Sequence, residues 1–199
     1  MAKFDAQKFL SWCQSQCKQH GVKLILGRGK SIRCNGYSVS GYFDAHNEGA
    51  PTLKVASKHK LWVEVLAHEI CHMFQWIEKT EKSVRFDKVI NTEEWLNGKN
   101  FPAKKLHTAI IATVEMEREC EVNALKLLEK FGYKNRTGYI QRANAYTLFY
   151  FYMLETRKWC KKGRSPYNQR GIWTKFPKTF NINIHKTFKK LRNLYAACI

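Results

Sequence analysis

Leu66-Ala67-His68-Glu69-Ile70-Cys71-His72-Met73-Phe74-Gln75-Trp76 is the stretch around which the rest of this chain has to be arranged. At i and i+4, His68 and His72 lie one above the other on a helix face, so both imidazoles can reach one metal ion. Glu69 between them is placed to contact a water which that ion polarises. Zinc takes nitrogen ligands at about 2.0–2.1 Å, and its catalytic sites typically combine three protein ligands with a water whose pKa falls toward about 7. The motif therefore predicts a zinc site on a helix and requires a third protein ligand. The surroundings agree. Ser57-Lys58-His59-Lys60 offers a polar start, and Leu61, Val65, His68, His72 and Trp76 recur along one stripe at helical spacing. Two imidazoles on an apolar stripe need partners, and a shared metal supplies them.

The third ligand is sought by the same argument about faces. Ala103 to Phe131 reads as a long helix, opened by Pro102 and closed by Gly132. Ile110, Val114, Leu125 and Leu128 mark its apolar face, with Glu117 and Glu121 in the middle of it. Glu115, Glu119, Lys126 and Glu129 fall toward the polar side. A carboxylate on a buried stripe is costly unless paired or bound to a cation, which singles out Glu117 and Glu121. One of them can bind zinc. The other can accept the second ring N–H of a ligating histidine. The competing account pairs these acids with Arg118, Arg142 or another cation.

These two segments carry a resemblance. His68-Glu69-x-x-His72, followed by Glu117-Arg-Glu-Cys120-Glu121-x-x-Ala124-x-x-Leu127-Leu128, resembles the gluzincin group of zinc metallopeptidases. Within that group the pattern is most similar to small phage and bacterial peptidases typified by the immunity-repressor and radiation-response regulator proteases. The resemblance implies a zincin-like α+β fold, with a small N-terminal β-sheet packed on a helical bundle that carries the metal site. It implies Zn2+ held by His68, His72 and Glu117, and Glu69 as general base in peptide-bond hydrolysis. Glu121 stands where the family has Asn or Asp, and so remains either a supporting residue or an alternative ligand. Gly41-Tyr42-Phe43-Asp44, Leu53-Lys54-Val55-Ala56 and Ala143-Asn144-Ala145-Tyr146 extend the similarity to phage-encoded metallopeptidases. In gluzincin-like proteins the strand before the metal helix forms an exposed edge along which a peptide pairs, and Leu53 to Ala56 occupies that place.

Length and composition suit a compact enzyme. With 199 residues, one domain over 1–199 is the default expectation, residues 161–199 forming a basic, aromatic-rich C-terminal extension. No apolar run approaches the roughly 20 residues needed to span a membrane, and the start Met1-Ala-Lys-Phe-Asp lacks the apolar core of a secretion signal. A cytoplasmic protein, in the host cytoplasm if phage-encoded, is expected. The seven cysteines are odd in number and include no Cys-x-x-Cys pair, which favours reduced thiols over disulfides. Cys13, Cys17 and Cys71 read as small packing groups. Gly27-Arg-Gly29-Lys30-Ser31 echoes the end of a phosphate-binding loop, but Leu24 stands where its first glycine belongs and a strand follows, so a basic turn is the better reading.

A pass along the chain places the remaining pieces. Asp5 to His20 is an amphipathic helix ended by Gly21. Val22 to Leu26, Ile32 to Ser38, Gly41 to Asp44 and Leu53 to Ala56 are strand candidates. Thr80 to Asn100 reads as a polar surface excursion with one short helix. Tyr139 to Cys160 reads as a helix with Tyr146, Phe149, Tyr150 and Met153 on one side. Tyr146, with Tyr150 as its alternative, is the candidate donor to the oxyanion formed when water attacks a carbonyl.

The net charge is +19, and no Asp or Glu follows Glu155. So uneven a distribution predicts a polyanionic partner, nucleic acid first, with an acidic protein or membrane surface behind it. Trp159, Tyr167, Trp173, Phe176, Phe180 and Phe188 interleave the cations. They can either stack on single-stranded bases or pack inward and leave the cations in water. The expected function is thus a zinc metallopeptidase acting on a protein or peptide substrate. Its alternatives are a basic nucleic-acid-binding protein whose zinc site only supports the fold, and a protease working on DNA-attached proteins. SprT-like proteases are the comparison for the last of these, but their third ligand is usually a histidine with no counterpart here.

Overall fold

The side chain of Asp5 accepts a hydrogen bond from the Lys8 N–H at 2.9 Å and so caps α1 (Ala6–Gln19), whose Phe9, Cys13 and Cys17 line its buried face. These observations come from a computed structural model that describes residues 4–34 and 36–199. Those residues form an α+β protein with a small mixed sheet and many helices. They group into two compact units, one comprising Met1–Lys79 with Cys120–Lys134, the other Thr80–Glu119 with Asn135–Ile199.

In the first unit, β1 (Lys23–Gly27), β4 (Gly41–Asp44) and β5 (Thr52–Ala56) make a three-stranded sheet in the order β1-β5-β4. β5 pairs parallel with β1, from Lys23 opposite Thr52 to Gly27 opposite Ala56, and antiparallel with β4, from Gly41 opposite Val55 to Asp44 opposite Thr52. This corrects the placement of Leu53 to Ala56 as an exposed edge. β5 is the central strand, with both rows of backbone groups in ladders and Leu53, Val55 and Ala56 fully buried. Its run of apolar residues is that of a strand covered on both faces. The edges on either side of it are β1 and β4. The expected single strand Ile32 to Ser38 is instead a hairpin of β2 (Ile32–Cys34) and β3 (Tyr37–Val39), with Cys34 opposite Tyr37 and Gly36 at φ 84°. Asn-Gly is a two-residue hairpin signal that the strand reading overran, although Asn35 itself lies outside the described residues.

α2 (Trp62–Glu78) packs against β4 and β5, burying Val65, Leu66, Ile70 and Met73. It ends where Lys79 turns left-handed at φ 48° and its N–H bonds the Gln75 carbonyl. α5 (Ala103–Lys130) is continuous through both units; its last turns belong to the first unit and its earlier turns to the second.

In the second unit the segment read as an excursion with one helix holds two, α3 (Glu81–Asp87) and α4 (Thr92–Leu96), capped by Thr80 and Asn91. Buried Trp95 anchors α4, which supplies the reason for order in so polar a segment. α6 (Arg136–Thr156) is buried on nearly every side, including Phe149, Tyr150 and Met153. The C-terminal region wraps it with α7 (Arg170–Trp173), α8 (Ile184–Leu191) and two 3₁₀ turns. Its rings point inward: Phe176, Phe188 and Tyr195 are buried, and Trp159 lies 5.5 Å from Phe149 and 5.7 Å from Tyr150 between ring centres. Gln141 and Asn144 of α6 donate to the carbonyls of Thr174, Phe176, Pro177 and Thr179, holding that stretch of backbone in place. None of the helices is long and apolar enough to cross a membrane among the described residues.

Candidate metal centre

On α2 the two motif histidines converge as their spacing requires. The Nε2 atoms of His68 and His72 stand 3.0 Å apart, with the rings nearly perpendicular. What the other ring nitrogens face decides what this close approach means. His72 Nδ1 lies 2.8 Å from Gln75 Oε1, and His68 Nδ1 lies 3.3 Å from Glu121 Oε1. Both oxygens are acceptors, which favours a proton on Nδ1 of each ring and leaves the two Nε2 atoms facing each other. Two ring nitrogens facing each other at 3.0 Å suit a shared proton or a shared cation. Two nitrogens on a tetrahedral zinc, each at about 2.0–2.1 Å, would be about 3.3 Å apart. The pair is therefore close to the separation that a shared zinc imposes, and the donor chemistry fits zinc.

Cys120, to which the sequence pattern assigns no role, also comes to this place. The ligand-capable atoms of His68, His72 and Cys120 lie within 4.8 Å of one another. Cys120 Sγ is 3.6 Å from His68 Nδ1 and donates to the His68 carbonyl at 3.1 Å. It thus sits against the edge of the His68 ring that faces away from His72. There it shares with Glu121 the task of holding the ring, and the thiol proton is engaged by a carbonyl. Cys71, inside the motif, is buried, and desolvation first, with the neighbouring Cys120 second, pushes its thiol well above the ordinary range. A neutral packing group is what that environment favours.

Glu69 is buried on the side of α2 that meets β4. The contact is made at Gly41, where an added Cβ would stand 2.5 Å from Val65 Cγ1 and 3.1 Å from both Cγ and Oε1 of Glu69. Lack of a side chain at 41 is therefore what lets the edge strand come up to the motif glutamate. Glu64, one turn before His68, is buried as well and accepts from the Tyr133 hydroxyl.

On α5 the two acids singled out by the stripe argument are both buried, Glu117 at 7% exposure and Glu121 at 3%, whereas Glu115, Glu119 and Glu129 are half-buried and Lys126 is exposed. In the second unit Tyr150 donates to Glu117 Oε1 at 3.1 Å, and the Tyr150 and Tyr146 hydroxyls are 3.2 Å apart. Burial, reinforced by the adjacent Glu117 carboxylate, raises the Tyr150 phenol well above its usual value, so it stays a donor. Of the cations considered as partners for these acids, Arg118 donates to Asn144 and to the Phe180 carbonyl, and Arg142 lies between the rings of Tyr167 and Trp173.

Three of these positions escaped the sequence reading: Gln75, Cys120 and Gly41. Gln75 was detectable, since i+3 from His72 on a helix is a neighbouring position. The pairing of Gly41 with Glu69, and of Cys120 with His68, spans distant segments and leaves no local signal. No protein-family model matches this chain, and no curated protein or solved structure matches it.

Proposed function

We propose that this protein is a zinc-dependent metallopeptidase with a zincin-like arrangement of its motif helix. The observation that supports this reading is the convergence of the two Nε2 atoms to 3.0 Å, with each Nδ1 facing a side-chain oxygen. His68 and His72 are the proposed histidine ligands. The sequence pattern assigns the third position to Glu117, one helical turn before Glu121, and the hydrogen bond from Tyr150 would fix which way that carboxylate turns. Glu121 and Gln75 hold the rings and keep their protons on Nδ1.

When bound, zinc supplies a Lewis acid that polarises water and carbonyl. The rest of the chemistry is assigned to Glu69. As the water oxygen bonds to the carbonyl carbon, Glu69 takes one of its protons. When the C–N bond breaks, Glu69 passes that proton to the leaving nitrogen and ends as the carboxylate it began as. An extended substrate would pair with a strand edge, and the edge adjoining Glu69 is β4.

The test is hydrolysis of an unfolded protein substrate by wild type and Glu69→Gln, with zinc measured in both. Retained zinc and a loss of turnover of at least a hundredfold in the variant are expected. Full activity in the variant, or no hydrolysis by zinc-loaded wild type across a broad peptide library, overturns the assignment.

A further inference from the structure

α8 splits its residues cleanly between core and water. Ile184, Phe188 and Leu191 face the core, where the Phe188 ring lies 5.4 Å from that of Phe151. Lys186, Lys189 and Lys190 are exposed, and at i, i+3 and i+4 they share one side of the helix. Glu155 is the last acid in the sequence, and its carboxylate is taken by Arg192 at 2.6 Å. Among the described residues, none of these three lysines is in an ion pair. Like charges a turn apart cost stability on an isolated helix, so the cluster is unfavourable for folding and favourable for an anion.

We propose that this face of α8 docks the phosphate backbone of a nucleic acid duplex, independently of the zinc site. The occupant is chosen by what surrounds the charge. A membrane-bound amphipathic helix needs an apolar face free to enter lipid, and here that face is spent on the core. A single strand is gripped by exposed rings on which bases stack. Trp159 is instead packed on Phe149 and Tyr150, Trp173 lies against Arg142, and Phe176 and Phe188 are buried. Exposed cations beside rings that are packed inward match a duplex backbone, which presents one negative charge per about 1.7 Å of axis. Binding is therefore independent of sequence and steeply dependent on salt.

The experiment is fluorescence anisotropy with a labelled DNA duplex of mixed sequence over a salt series. It compares wild type, Lys186→Ala/Lys189→Ala/Lys190→Ala, and Lys126→Ala/Lys130→Ala/Lys134→Ala, which removes the same charge from exposed positions of the other unit. Each phosphate contact contributes about 0.9 to the log–log salt slope, so the α8 variant should lose two to three from it. It should also bind at least tenfold more weakly at low salt, while the control stays within threefold of wild type. Equal weakening of both variants, or of neither, overturns the α8 site. Tighter binding to a single strand of the same length, or displacement of the duplex by phosphatidylserine vesicles, overturns the choice of occupant. Glu69→Gln should leave all of these values unchanged, which separates this result from that of the zinc reading. Circular dichroism melts confirm that the variants are folded, and Lys189→Glu alone should reproduce the direction of the effect.

Discussion

Gly41 of the edge strand lies against Glu69 of the motif helix so closely that a single methyl group would not fit without displacing Val65 or the Glu69 side chain. Gly41→Ala should therefore destabilise the protein by about 1–3 kcal/mol through overpacking, despite the entropy gained in the unfolded chain. Because Glu69 must be positioned within a fraction of an ångström to move a proton, activity should fall by more than tenfold. Denaturant unfolding together with a peptidase assay checks both. An unchanged midpoint would show that the strand can give way.

Elemental analysis of protein purified without a histidine tag should find near one zinc per chain, lost in His72→Ala. Glu117→Ala should lose it too if the sequence pattern assigns the third ligand correctly. Retention in Glu117→Ala and loss in Cys120→Ser would transfer that role to the thiol.

Glu121→Gln keeps an acceptor oxygen near His68 Nδ1 but removes the charge. Zinc affinity should drop by about ten- to a hundredfold, the usual effect of altering the group that orients a histidine ligand. Competition with a chromogenic chelator measures it.

Tyr150→Phe removes the donor to Glu117 Oε1. Taking one partner from a buried carboxylate should cost about 1–3 kcal/mol, read as a lower denaturation midpoint. Tyr146→Phe leaves that bond in place and should cost less stability. If Tyr146 serves the oxyanion, its loss lowers kcat instead.

Burial pushes the Cys17 thiol up to about 11 from an ordinary value near 9. Below pH 9 the thiol is neutral in both states and its contribution is complete. Between pH 9 and 11 the unfolded chain ionises first, so stability falls through that window. Urea unfolding under reductant at pH 8 and pH 10 should show the fall, and Cys17→Ala should make it shallower.

The long elements were legible because their signals are local. The i, i+4 histidines, the cap at Asp5 and the apolar rows of α5 are properties of one segment, and the structure has helices at each. The burial of Glu117 and Glu121 against the half-exposure of Glu115 and Glu119 follows from the same period of 3.6. Helix α6 was less readable, since a helix buried all round has no polar face to set its period.

Strand order could not be read in this way. Leu53 to Ala56 has the composition of a buried strand, yet whether it is central or at an edge depends on where β1 and β4 attach, and no local pattern encodes that. The direction of the C-terminal rings was equally open. Aromatics alternating with lysines suit a stacking surface or a wrapped tail, and only the core that α6 offers to Phe176, Phe188 and Tyr195 decided between them.

By itself the sequence determined the pairing of two histidines and a glutamate on one helix, the two buried acids of another, and a charge too large and too uneven to be incidental. Each depends on spacing along a single element or on composition, which the chain carries before it folds. The tertiary structure decided which carboxylate faces His68 Nδ1, which strand reaches Glu69 and which way the C-terminal rings face. Those relations join residues tens of positions apart, and they exist only once burial of apolar surface has brought the segments together.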